Sequence, residues 1–231
     1  MTDAPYTPTD TMTIPLSADI LRQMGNVSLC ASTDKYRPIL GTLRFERISS
    51  EGKGGVLMVA TDSYMLAWAE VFADDLADAP SDALAAPIPA ADIKRIAAFI
   101  KASDYAKRPE AFALVLSERE WLLNRRHDGA TVASGPSTPG EFPNWRQLVP
   151  DSGKLESSQV SRVSINPTFL ARTAKMKADP NGTGGSLRLW ANVDELKSIG
   201  FHHTGANVWG LIMPMRHNGE TFAAPASQAV A

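Results

Sequence analysis

The 231-residue chain is 44% hydrophobic and 21% charged, the balance of a folded globular protein, and no apolar run approaches the roughly 18 residues of a membrane helix. A formal net charge of −2 argues against a uniformly basic nucleic-acid binder, and a single cysteine, Cys30, excludes an internal disulfide. Length alone admits one large domain or two. The opening MTDAPYTPTDT lacks a basic segment followed by an apolar one, so the expectation is a cytoplasmic protein in a reducing compartment.

Residues 1–11 and 218–231 follow neither hydrophobic period and are expected to be a disordered arm and a flexible tail. Between them one pattern recurs three times: an apolar segment, a short amphipathic helix, then strands separated by turn residues. In the first unit Ser17 is an N-cap, and Ile20, Met24 and Val27 form an i, i+4, i+7 stripe over a helix at 17–29. Strands are expected at ILGTLRFERI, GGVLMVAT and YMLAWAEVF, the first two joined by SSEGKGG as a hairpin loop. The second unit places Ile93, Ile96 and Ile100 on one face of a helix at 90–103, followed by AFALVLS, EWLLNRR and ATVAS. GPSTPGEFPNWRQLVPDSGKLES, rich in Pro, Gly and Ser, reads as a connector. The third unit has Asn166 as cap and Pro167 at the first position of a helix at 166–178, then SLRLWA, LKSIGFHH and NVWGLIMPMR. Three helices among about a dozen strands indicate an α+β chain with antiparallel sheets.

Charge is unevenly placed. The three helices carry Arg22, Lys94, Arg95, Lys101, Arg172, Lys175 and Lys177 against Asp19 and Asp92, a net +5 in a chain of −2, which leaves −7 for the remainder. A solvated surface accounts for any one such helix; three in succession with cationic outer faces point to phosphates.

No catalytic arrangement emerges. His202 and His203 are adjacent in a strand, so their side chains point to opposite faces and cannot share a metal. PNGTGG precedes a strand and not a helix N-terminus, which suits a hairpin loop better than a phosphate cradle. Cys30 reads as a small buried hydrophobe, and Asp62 in ATDSYMLA as a turn former. No enzyme activity, metal or cofactor is expected.

Three motifs carry a resemblance. STDKYRPILGTLRFERISSEGKGGVLMVATDSYMLAWAEV is similar to the middle domain of the bacterial β sliding clamp family, with its VATDxxxLA turn. FPNWRQLVP resembles that family's FPxYRxxxP connector, and IMPMR its closing motif, in the family's order over about 12–217. The resemblance implies a DNA-clamp fold of repeated β-α-β-β-β units, antiparallel sheets outside and helices lining a central hole. It divides the chain into a complete two-helix domain at 12–150 and a half domain at 151–217. It implies a processivity factor that encircles double-stranded DNA without reading bases and tethers a DNA polymerase and clamp loader through short peptides, with no membrane partner. The competing expectation is a clamp-like module or decoy that takes such peptides without closing on DNA.

Carried over residue by residue, Arg22, Lys94, Arg95, Lys101, Arg172 and Lys175 would face DNA. The peptide pocket would comprise Leu40, Thr61, Ser63, Tyr64, Met65, Leu66, Pro143, Leu148, Leu211, Met213, Pro214, Met215 and Arg216. Ser63, Tyr64 and Met65 replace the family's Gly-His-Arg, and fifteen residues follow MPMR where the family normally stops. The chain is also far shorter than a three-domain clamp. The family's ring has twelve helix-bearing units, so three per chain favour a homotetramer; a trimer ranks second.

Overall fold

A computed structural model of the chain describes residues 11–73, 76, 87–149, 163–182, 185–191 and 197–216. Residues 1–10 of the arm, the tail and the 150–157 part of the connector lie outside them. The first unit comprises β1 (Met12–Pro15), α1 (Ala18–Ser28), β2 (Thr42–Ser50), β3 (Lys53–Thr61) and β4 (Met65–Phe72). The second comprises β5 (Pro87–Pro89), α2 (Ala90–Ala102), β6 (Phe112–Leu116), β7 (Glu120–Arg125) and β8 (Thr131–Pro136). The third has α3 (Pro167–Thr173), β9 (Leu187–Trp190), β10 (Ile199–His203) and β11 (Val208–Ile212).

Two antiparallel sheets result, one ordered β1-β6-β7-β8 and one ordered β5-β2-β3-β4-β11-β10-β9. The first two units exchange strands. β1 pairs with β6 of the second unit (Met12 opposite Leu116), and β5 pairs with β2 of the first (Thr42 opposite Pro89). The third unit joins the first through β4 and β11, with Leu66 opposite Leu211.

Alternation sorts the strands onto two faces. Val56, Met58 and Ala60 of β3, Met65, Ala67 and Ala69 of β4, and Val208 and Ile212 of β11 bury against Ile20, Met24 and Val27 of α1 and Phe169 of α3 in one core shared by all three units. Leu57, Val59, Leu66 and Leu211 point the other way, into a smaller core with Phe142 and Trp145. With both faces covered, β3 reads as an almost unbroken apolar run.

The caps are as expected from the sequence. The Ile20 N–H donates to Ser17 Oγ at 3.1 Å and the Thr168 N–H to Asn166 Oδ1 at 3.0 Å. The third helix, expected over 166–178, stops at Thr173. Its exit is held by α1: Asn26 Nδ2 donates to Lys177 O (2.9 Å) and the Lys177 N–H donates to Asn26 Oδ1 (2.7 Å), which draws the chain out of the helical path. Gln23 Nε2 donates to Ala206 O at 2.7 Å, a second tie from α1 to the third unit.

At the β4–β11 seam the backbones leave no room for a side chain at Gly210. A Cβ there would lie 2.2 Å from Leu66 O and 2.3 Å from the Phe201 ring. Gly210→Ala is therefore expected to cost about 3 kcal/mol, the upper part of the range for overpacked sites, seen as a lower urea midpoint in equilibrium unfolding; an unchanged midpoint would mean that the seam is loose.

Candidate peptide pocket and cationic face

The pocket forms where three segments converge: the β3–β4 turn, the end of β11 and the 142–148 segment. Asp62 shapes the turn. Its Oδ1 accepts the N–H groups of Tyr64 (2.9 Å) and Met65 (2.7 Å), while Ser63 takes a left-handed φ of 78°. This leaves Tyr64 exposed above the buried Met65. The turn is tied to the end of β11 by the Met213 N–H, which donates to Tyr64 O at 2.8 Å. The other oxygen of Asp62 accepts from Arg172, so one carboxylate both builds the rim turn and latches α3. This is the turn role expected for Asp62.

The third wall depends on Glu46, nearly buried in β2. Its carboxylate takes Arg146 and Trp145 Nε1 from the 142–148 segment and Arg44 from its own strand, the last at 2.7 Å. Burial pushes this carboxyl up, but Arg146, Arg44 and Trp145 outweigh it and hold it below its ordinary value of 4.5. Trp145 packs against Trp68 of β4 with ring centroids 5.7 Å apart.

The resulting cavity of about 390 Å³ is lined by Thr61, Ser63, Tyr64, Met65, Leu66, Pro143, Trp145, Leu148, Ser198, Leu211 and Met213. Nine of the thirteen expected pocket residues therefore surround one space. Leu40 is buried and does not line it, its carbonyl accepting the Ser32 N–H. Pro214, Met215 and Arg216 run past it, with the Met215 N–H donating to Ser164 O at 2.8 Å. Sequence reasoning missed Trp145 and Ser198; the Trp in FPNWRQLVP was a usable signal, whereas nothing in the sequence pointed to Ser198. Tyr64, Leu148 and Met213, 60%, 57% and 43% exposed, stand at the mouth as large apolar side chains in water. Apolar side chains grouped in this way favour contact with another apolar surface, which would exclude that water, and Met adapts its shape to what it packs against. A larger cavity, about 630 Å³, opens beside α1 near Arg22 and Asp179, but its lining is mainly polar.

The six candidate DNA-facing residues divide into two environments. Lys94, Lys101 and Lys175 are exposed, and Arg95 is exposed while pairing with Asp92 at 2.7 Å. Arg22 is largely buried between Asp19 and Asp179, and Arg172 pairs with Asp62 and lies over the Phe169 ring. Lys175 sits beyond the end of α3 instead of on it.

Other conspicuous residues have structural surroundings. His202 stacks on Trp209 with centroids 3.8 Å apart, whereas His203 turns to the other side, its Nδ1 accepting the Ala206 N–H. Burial pushes the Cys30 thiol up to about 12, which keeps it protonated and a poor nucleophile. Among the described residues no group of three or more His, Cys, Asp or Glu could hold a metal, and no helix is long and apolar enough to cross a membrane.

No protein-family model and no curated protein matches the sequence. Solved structures do match. The sliding clamp of Caulobacter crescentus superposes with a TM-score of 0.67 at 16% identity, over 93% of this chain and 69% of that one. The β chain of DNA polymerase III from Streptococcus pneumoniae gives 0.63 at 15%, over 94% and 67%. The Bartonella birtlesii clamp, solved with griselimycin bound, gives 0.62 at 15%, over 94% and 69%. This chain has the fold of the bacterial β sliding clamps. The match supports the expected α+β architecture.

Because Glu46 fastens the pocket wall, Glu46→Gln should lower stability by about 1–3 kcal/mol. A carboxyl held below its ordinary value stabilises the fold fully above that value and loses the contribution as pH falls through the lowered one. The gap between wild type and variant, followed by denaturant titration, should thus be constant near neutral pH and close as the pH drops below about 4.5.

Proposed function

We propose that this protein is a DNA sliding clamp: copies close into a ring around duplex DNA, and the cavity between Leu66 and Met213 captures a short peptide from a polymerase or loader. The observation that carries the reading is the coincidence of the clamp fold with an apolar cavity at the β4–β11 seam, walled by the connector motif and the closing motif together. The role is one of binding, not catalysis. Contacts to DNA are to phosphates, made by Lys94, Lys101, Lys175 and the outer part of Arg95, since a ring that slides must not read bases. Three helix-bearing units per chain and twelve per ring favour four copies, with three ranking second.

One observation favours the other reading, a module that takes clamp-binding peptides without encircling DNA. Arg22 and Arg172 are engaged by Asp19, Asp179 and Asp62, which leaves fewer unpaired cations for phosphates. Replacing Lys94, Lys101 and Lys175 together by Glu separates the two. A clamp loses DNA association, and its dependence on salt weakens by about 0.9 in the log–log slope for each phosphate no longer neutralised, with no change in base preference. Unaltered association would return these lysines to an ordinary solvated surface.

The pocket has its own test. A Gln-x-x-Leu-Phe peptide should bind wild type, and Met213→Ala with Leu148→Ala should weaken it by about 1–3 kcal/mol if these side chains are anchors. Fluorescence titration at wild-type affinity in the double variant would place the peptide elsewhere.

A further inference from the structure

Both junctions inside the chain join like to like. At one, the first and second units exchange strands reciprocally, β1 going to the second sheet and β5 to the first. At the other, β4 and β11, each the last strand of its unit, lie antiparallel. Each pairing relates two units through equivalent strands, and the first unit takes part in both, so a unit has one exchange side and one last-strand side. Along the arc the order is second, first, third. The second unit's outward side is therefore a last-strand side, the outer edge of β8, and the third unit's is an exchange side, the outer edge of β9. Among the described residues neither edge has a strand partner. An odd number of units gives the arc two unlike ends.

The second unit's open end shows what it is built to meet. At the first–third junction, α1 reaches across with Asn26, six residues after Ile20, to the backbone of Lys177. In α2 the residue six after Ile93 is Phe99, which is 38% exposed. Phe99 lies in an open groove of about 340 Å³ with Tyr105, Phe112 and Val132, directly beside β8. The position that bridges two units in α1 thus carries an exposed aromatic ring in α2, next to an open strand edge, which without a partner is a liability.

Resting on the clamp reading, we infer that the β8 end binds the β8 end of a second copy across a two-fold axis, β8 antiparallel to β8 and Phe99 covered. Head-to-tail closure would demand a junction between a last-strand side and an exchange side, a kind this chain never makes. Neighbouring copies in the ring are instead turned over relative to one another, and the number of copies is even. The peptide cavity lies off one end of the β4 and β11 strands, so alternate copies present it on opposite faces of the ring. The partner is a second copy of this chain, and the ring has two equivalent faces.

The test uses the full chain, whose single native cysteine is buried. Single cysteines are placed in turn at positions 131–134 of β8, oxidised under mild conditions and analysed beside the native mass of the unmodified chain. Expected are an even-numbered assembly and, for at least one position, a homotypic disulfide in most chains that stops at the covalent dimer. Phe99→Ser should raise the concentration at which the assembly dissociates about tenfold or more, and it leaves the strand edge intact should a β8 variant fail to fold. An assembly of three copies, or an even one in which no β8 position cross-links, overturns the inference and leaves the clamp reading standing. A monomer at every concentration overturns both.

Discussion

The antiparallel pairing of β4 with β11 is the constraint from which the site follows. It brings together Thr61–Leu66 and Leu211–Met213, segments of the first and third units far apart in sequence, and it continues the first unit's sheet into the third. Without it the inner faces of β4 and β11 would not share a core, and the cavity would lose one wall. The seam tolerates only a glycine at position 210 because the Leu66 carbonyl and the Phe201 ring occupy the space of a side chain. Backbone pairing and close packing are thus satisfied by the same residue.

Buried carboxylates then fix what the seam alone leaves loose. Asp62 organises the Tyr64–Met65 turn and holds Arg172, and Glu46 clamps Trp145 and Arg146 against the outer face. Asp92 serves the second unit similarly, accepting Trp121 Nε1 at 3.0 Å from β7 while pairing with Arg95. Each is a charge compensated by donors, at least one of them from a different element, which offsets the cost of burying it. Ion pairs also determine which arginines are engaged: Arg22, held by Asp19 and Asp179, and Arg172, held by Asp62, support the framework, while Lys94, Lys101 and Lys175 are exposed to solvent.

Local chemistry was legible in the sequence. Ser17, Asn166 and Pro167 mark helix starts because a cap acts within three residues, and the apolar periods placed the strands because burial alternates along the chain. The turn at Asp62 was legible for the same reason. What could not be read depended on partners distant in sequence. The end of α3 is set by Asn26, the pairing of Arg172 by Asp62, and the environment of Arg22 partly by Asp179. A helical cationic stripe looks alike whether its charges face solvent or a distant carboxylate. The pocket residues follow from the resemblance, and Ser198 escaped because a serine near the start of an expected strand carries no signal of what it will line.

Encirclement is the central claim, and topology tests it without knowledge of any partner protein. The labelled protein, loaded on a nicked circular duplex with a clamp loader supplied, is passed over a sizing column in salt high enough to remove electrostatic binders, before and after a single restriction cut. The account predicts that the protein stays with the circle and is lost once the circle is cut, since a ring slides off a free end. Equal retention on circular and linear DNA, or loss from both, would contradict it.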